Sequence, residues 1–336
     1  MSGQPLLVVE GLRKDFVLPQ PWMARLAGAP RRVVHAVDDV GFEIPRGRTL
    51  GLVGESGCGK STLARCLVGL HAMDGGRVTF DGTAVTRASL ARGELRRRVQ
   101  MIFQDPYASL NPRWRVGRIV GEPLRVHRLV RDARELEDKV ASLLVSVGMS
   151  PADARKYPHE FSGGQRQRIS IARALSTQPE FLVCDEPTSA LDVSVQAQIL
   201  NIMADLQQAR GLTYLFISHN LAVVRHVSHE VGVMYLGRLV EIAGRDEIFE
   251  RPRHPYTRQL IDAIPDPAAL GTRRAPIRGE VPNPMNPPPG CPFNPRCAHA
   301  DERCRTERPR LRVHGASRVA CHGVEEGRID ILPAGA

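Results

Sequence analysis

The chain has 336 residues and a 42% hydrophobic content, enough for one large domain with an appendage or for two domains. No run approaches the eighteen apolar residues of a membrane span, and Met1-Ser2-Gly3-Gln4-Pro5 lacks the basic-then-apolar pattern of a secretory signal, so the expectation is a protein made and kept in the cytoplasm. The net charge of +10 calls for anionic company, but the arginines are scattered and not interleaved with aromatics, which argues against nucleic acid and leaves nucleotides and acidic lipid surfaces.

Leu6 to Glu10 predicts a first strand, and Val33 to Ile44 further strand ending in the turn Pro45-Arg46-Gly47-Arg48. Between them, Leu18 to Arg32 predicts a loop insertion without apolar period. Thr49 to Val53 is a buried strand that runs straight into Gly54-Glu55-Ser56-Gly57-Cys58-Gly59-Lys60-Ser61-Thr62, and Ser61 to Leu70 predicts a helix. Strand, glycine loop and helix in that order make a phosphate-binding loop. The glycines let successive N–H groups turn inward onto phosphate oxygens, and the helix adds its positive end. Lys60 can reach the outer phosphates, and the Ser61 hydroxyl can sit on Mg²⁺.

Met101-Ile102-Phe103 reads as a strand end, followed by Gln104-Asp105-Pro106. Gln104 there can reach both Mg²⁺ and a water; plain surface is the alternative. Arg118 to Gly148 and Arg166 to Ser176 predict mainly helix with arginine-rich polar faces. Phe161-Ser162-Gly163-Gly164-Gln165 precedes the second of these. It offers a hydroxyl and free N–H groups at a positive helix end, or is simply a capped helix start. Phe181 to Cys184 is a short apolar strand from which Asp185 and Glu186 emerge. Asp185 can hold Mg²⁺, and Glu186 can polarise a water attacking the terminal phosphate. Val193 to Gln208 predicts a helix, and Thr213 to Ser218 another buried strand leading to His219, which can donate to the terminal phosphate or be structural. Strands alternating with helices predict a mostly parallel sheet.

These motifs, from about Leu6 to the C-terminus, resemble the ATP-binding subunits of ABC transporters. The resemblance implies an α/β fold: a P-loop NTPase with a RecA-like core, an antiparallel β subdomain and an α-helical subdomain near 105–178. It makes Glu186 the catalytic glutamate, Gln104 the glutamine that also links to membrane subunits, His219 the switch histidine, and Ser189-Ala190-Leu191-Asp192 a loop signalling between two nucleotide sites. It implies that Ser162, Gly163, Gly164 and Gln165 face the nucleotide of a second ATP-binding subunit, in a head-to-tail dimer whose expected form is a heterodimer. For the adenine it points to Phe16, with a core phenylalanine as the rival reading.

From Pro265 proline becomes dense, which marks the end of a main domain at 1–262 and an irregular extension over 263–336. His254-Pro255-Tyr256-Thr257, Gly279-Glu280-Val281-Pro282-Asn283-Pro284 and Asn286-Pro287-Pro288-Pro289-Gly290-Cys291 resemble the C-terminal region of ATPases from oligopeptide, dipeptide and nickel importers. That implies ATP-driven import, most directly of peptides and alternatively of nickel or another small solute. The partners implied are two membrane permease subunits and an extracytoplasmic substrate-binding protein, with the ATPase held at the cytoplasmic face of the membrane. A soluble ABC ATPase acting on nucleic acid is the rival class, but the chain has neither the long coiled coil nor the second ATPase module of such proteins.

Cys291, Cys297, Cys304 and Cys321 are spaced C-x5-C-x6-C-x16-C. Four thiolates could bind a [4Fe–4S] cluster or Zn²⁺, though the spacing matches neither a zinc ribbon nor the bacterial ferredoxin run; reduced structural thiols are the remaining reading. The resemblance to peptide-importer ATPases implies the iron–sulfur cluster.

Overall fold

The computed structural model describes residues 4–20, 32–86, 88–89, 93–264 and 279–329. Its strands are β1 (Leu7–Val17), β2 (Val33–Ile44), β3 (Thr49–Val53), β4 (Gly75–Phe80), β5 (Thr83–Ala84), β6 (Val99–Ile102), β7 (Phe181–Asp185), β8 (Thr213–Ile217), β9 (Glu230–Tyr235), β10 (Arg238–Gly244), β11 (Arg312–His314) and β12 (Ser317–Val319). They form a four-stranded sheet in the order β2-β1-β4-β5 and an eight-stranded sheet in the order β11-β12-β10-β9-β3-β8-β7-β6.

Three strands at the centre of the large sheet, β3, β7 and β8, are buried along their whole length. A strand covered on both faces takes a nearly continuous apolar run, polar only at its ends, which is why Thr-Leu-Gly-Leu-Val, Phe-Leu-Val-Cys-Asp and Thr-Tyr-Leu-Phe-Ile do not alternate. The pairs β3–β8, β3–β9, β6–β7 and β7–β8 are parallel. β10 turns back antiparallel on β9.

The pleat sends alternate side chains of this sheet into two separate cores. Leu182, Cys184, Tyr214 and Phe216 join the core shared with the helices Val116–Val126, Ala133–Ser146, Gly163–Leu175 and Val193–Arg210. Phe181, Val183, Leu215 and Ile217 join the core shared with the small antiparallel sheet and the helix Lys60–Leu67. The large sheet is therefore the middle layer, and the loops at the C-terminal ends of its parallel strands lie where both other layers meet.

The small sheet is antiparallel in all its pairs, with β1 between β2 and β4. The helical region is built on amphipathic faces. Leu136, Val140, Leu143 and Leu144 of Ala133–Ser146 are buried, and Asp132 caps that helix by accepting from the Glu135 N–H at 2.8 Å. The loop insertion expected between Leu18 and Arg32 lies for the most part, at 21–31, outside the described residues; at its base the Leu18 N–H donates to the Arg32 carbonyl at 2.9 Å.

The C-terminal extension departs from the irregular tail expected of it. β12 pairs with β10, with Glu241 opposite Val319 and Ala243 opposite Ser317, and β11 pairs with β12. Two short strands thus lengthen the main sheet. The proline density reads correctly as an absence of long elements, but short hairpin strands leave little periodic signal against that background. No helix among the described residues is long and apolar enough to cross a membrane.

Candidate functional site

The phosphate-binding loop leaves the end of β3 and enters the helix Lys60–Leu67. Two of its glycines are required by close approach as well as by backbone conformation. Gly54 has φ +149° and a Cβ there would lie 2.2 Å from the Met234 carbonyl oxygen; Gly59 has φ +102° and a Cβ there would lie 2.0 Å from the Ala36 carbonyl oxygen. The loop is thus clamped between the antiparallel sheet and β9. Ser56, Gly57 and Cys58 form its crest, with the Cys58 N–H donating to the Glu55 carbonyl, and Thr62 lies in the first turn of the helix. Burial pushes the Cys58 thiol up. Lys60 is buried and donates from Nζ to the carbonyl oxygens of Gly54 at 2.7 Å and Glu55 at 2.9 Å.

β7 delivers the acids. The Ser61 hydroxyl donates to Asp185 Oδ1 at 2.9 Å. A hydroxyl and a carboxylate converging at a phosphate loop form a hard-oxygen donor set of the kind Mg²⁺ prefers. Burial raises the Asp185 pKa, partly offset by the bond from Ser61. The next residue, Glu186, sits in the left-handed region at φ 47° although it carries a side chain. Its N–H donates to the Ile217 carbonyl at 3.0 Å, which holds the unusual backbone in place. Residues kept in such sparsely populated conformations gather at functional sites.

Gln104 and His219 converge on that glutamate. Gln104 Nε2 donates to Glu186 Oε2 at 3.2 Å, and His219 Nδ1 lies 3.0 Å from the same oxygen. Gln104 follows β6, Glu186 follows β7 and His219 follows β8, so three neighbouring parallel strands each place one polar side chain at their C-terminal ends. This is where open α/β sheets form their sites. Ser189 closes the turn after the glutamate, its hydroxyl donating to the Glu186 carbonyl at 3.1 Å.

Two other groups of sequence-derived residues are placed differently. Ser162, Gly163, Gly164 and Gln165 form a capping box on the helix Gly163–Leu175: Ser162 Oγ accepts from the Gln165 N–H at 3.4 Å and Gln165 Oε1 accepts from the Ser162 N–H at 3.0 Å. A Cβ on Gly164 would lie 2.4 Å from the Val195 side chain, so that glycine also serves close helix packing. Phe16 is half-buried near the end of β1, edge-on to His71 at 5.4 Å with Lys14 Nζ 5.3 Å from its ring centre.

The metal centre expected on the four late cysteines is not supported by the structure. Among the described residues no group of three or more His, Cys, Asp or Glu side chains is placed to hold a metal ion, so neither a [4Fe–4S] cluster nor Zn²⁺ is assigned to Cys291, Cys297, Cys304 and Cys321. The segment packs instead. Cys291 and Cys304 join the larger core, and the Cys291 N–H donates to the Cys304 carbonyl at 2.8 Å. Burial, with a smaller push from the neighbouring thiols, raises Cys291 to about 12 and Cys297 to about 11. Burial likewise raises Cys304 and Cys321. All seven cysteines are free.

One contact was not foreseen. Arg296, deep in the extension, binds the Glu55 carboxylate with both terminal nitrogens, and the Tyr256 hydroxyl accepts the Glu55 N–H at 2.9 Å. His254-Pro255-Tyr256-Thr257 was visible as a motif, but nothing in the sequence connects it to a loop two hundred residues earlier.

Residues 37–189 match the ABC transporter family, and residues 240–304 match the oligopeptide/dipeptide transporter C-terminal region. A probable peptide ABC transporter ATP-binding protein of Sinorhizobium fredii is 52% identical over 94% of this chain and 89% of its own length. The dipeptide transport ATP-binding protein of Escherichia coli is 46% identical over 96% of each. The chain belongs to the ABC transporter ATP-binding family. It is an ATP-hydrolysing subunit, with ATP and Mg²⁺ as the ligands its loop and acids serve. Among solved structures, a dimeric ATP-binding cassette bound to ADP and phosphate superposes with a TM-score of 0.62 at 23% identity, covering 71% of this chain and 98% of that one. A cassette from Clostridium perfringens, part of an ABC transporter complex, superposes at 0.61 with 26% identity over 73% and 90%. The shared fold is thus the ABC ATPase cassette.

Proposed function

We propose that this subunit hydrolyses ATP to energise import of oligopeptides or dipeptides. The observation that carries the reading is the match of residues 240–304 to the oligopeptide/dipeptide transporter C-terminal region, joined to relatives named for peptide transport. In this reading residues 1–262 are the ATP-binding cassette, with its helical region at about 105–178, and residues 263–336 are the extension. The subunit works at the cytoplasmic face of the membrane with a second ATP-binding subunit, two permease subunits and an extracytoplasmic substrate-binding protein. Phe16 stacks on the adenine.

Each site residue has a task set by its position. Lys60 moves its charge from peptide oxygens to the outer phosphates. Ser61, Asp185 and Gln104 would hold Mg²⁺, which when bound would neutralise phosphate charge. Glu186 orients the attacking water and takes its proton, and His219, sharing the same carboxylate oxygen, steadies the water's position and donates to the terminal phosphate. Ser162 to Gln165 complete the site of the other ATP-binding subunit.

The test is reconstitution in vesicles with the cognate permeases and binding protein. ATP hydrolysis is expected to rise when the binding protein carries a dipeptide or oligopeptide and to stay basal with Ni²⁺ or amino acids. Stimulation by Ni²⁺ alone would transfer the cargo assignment to metal import.

A further inference from the structure

We propose that the C-terminal extension positions the phosphate-binding loop: Arg296 of the extension, together with Tyr256 at the end of the cassette, grips Glu55, so an ordered extension sets the affinity for ATP. The inference rests on the nucleotide site alone and not on which solute is carried.

Arg296 meets Glu55 as a fork on a fork, with Nη1 to Oε2 at 2.7 Å and Nη2 to Oε1 at 2.9 Å. The Arg296 side chain is only 2% exposed and that of Glu55 22%, so the guanidinium is shielded while the carboxylate keeps a partly open face. The Glu55 carboxylate in turn raises the Arg296 pKa, which keeps the charge fixed. Tyr256 contributes a second hold by accepting the Glu55 N–H. The third polar group of the same residue, its carbonyl, accepts from Lys60 Nζ at 2.9 Å. Glu55 is therefore a bridge between the extension and the lysine that serves the outer phosphates.

The grip is framed by aromatic packing and by the cysteine segment. Tyr235, Tyr256 and Phe293 contact one another at ring-centre distances of 4.7 to 5.4 Å, and the Tyr235 hydroxyl lies 3.4 Å from Arg296 Nη1. Arg296 itself ends the short turn Asn294–Arg296, which Asn294 pins by donating from Nδ2 to the Pro289 and Cys291 carbonyls at 2.8 and 2.9 Å. A loop whose glycines leave its backbone many alternatives gains from being held in one of them, because ordering cost is then met before the nucleotide arrives. Arg296 and Tyr256 touch no reacting atom; they are positioning residues that act through Glu55.

The experiment compares the full-length chain with Arg296→Met, Glu55→Gln, the double variant and Tyr256→Phe, by calorimetric titration with Mg-ATP and by thermal melting. Losing a charge-assisted pair is expected to weaken ATP binding roughly tenfold in Arg296→Met, and Tyr256→Phe roughly threefold. If Arg296 acts through Glu55, the double variant is expected to lie within about twofold of the weaker single variant. Additive losses, or a folded Arg296→Met with native affinity and a lowered melting temperature only, would overturn the proposal. Should Arg296→Met fail to fold, Tyr256→Phe decides: it removes one hydroxyl, and unchanged affinity there refutes the grip. A transporter that proves to carry another solute leaves all these outcomes standing.

Discussion

Glu186 occupies backbone that side chains rarely adopt, and its carboxylate is met by an amide and an imidazole from the two flanking strands. Such an arrangement aims a carboxylate at a fixed spot. Glu186→Gln keeps the shape and hydrogen-bonding reach but cannot accept a proton from water, so steady-state hydrolysis is expected to fall at least about a hundredfold while ATP still binds. A phosphate-release assay beside a binding titration reads both. Lys60→Ala acts on the other quantity: it removes the cation from the outer phosphates, and ATP affinity is expected to fall roughly tenfold or more. The chemical identity of these residues was legible in the sequence because each follows a buried strand or sits in a fixed glycine pattern. The left-handed conformation of Glu186 was not, since no local residue choice announces it. It is imposed by the Ile217 carbonyl on the next strand.

At the scale of elements, the buried strands stood out because continuous non-polar runs of four residues such as Phe181 to Cys184 and Tyr214 to Ile217 have few other readings. The short strands β11 and β12 did not, because three residues show no period. The loop clamp and the turn at His254 each support a prediction. Gly59→Ala would drive a Cβ into the Ala36 carbonyl, so loss of ATP binding together with a lower melting temperature is expected. His254 is buried, accepts the Tyr256 N–H on Nδ1, and burial lowers its pKa to about 3. Below about pH 6.5 the unfolded chain binds a proton that the folded chain refuses, so stability falls by about 1.4 kcal/mol per unit as pH drops toward 3. The neighbouring Glu241, which accepts the His254 N–H at 2.9 Å, works oppositely: burial raises its pKa, so acid favours its folded form. Melting temperatures between pH 8 and 5 are expected to decline more steeply in the native chain than in His254→Asn, whose side chain carries no titrating group; equal slopes would remove the histidine from the account.

At the scale of the whole molecule, the sequence carried the cassette and its ligands but not the contact of the extension with the phosphate loop, because Arg296 and Glu55 lie 241 positions apart and pair only once the aromatic cluster around them has formed. It also left open where the glycine turn at Ser162 acts. Within one chain that turn caps a helix, and its serine is exposed. A cap needs one hydroxyl; an exposed serine beside two glycines at a positive helix end has room to receive phosphate oxygens from a second subunit as well. Ser162→Arg separates the two tasks. Loss of the cap costs about 1 kcal/mol, which a folded domain absorbs, and the lone chain is expected to bind ATP as the native one does. The added bulk and length would instead block a partner's nucleotide from seating. In the Glu186→Gln background, where ATP is held unhydrolysed, light scattering after size exclusion is expected to show an ATP-dependent pair, with itself or with the cognate second ATP-binding subunit. That pair is expected to vanish with Ser162→Arg and to persist with Ser162→Ala. An ATP-dependent pair that survives the arginine would place the turn outside the interface and leave it as a helix cap.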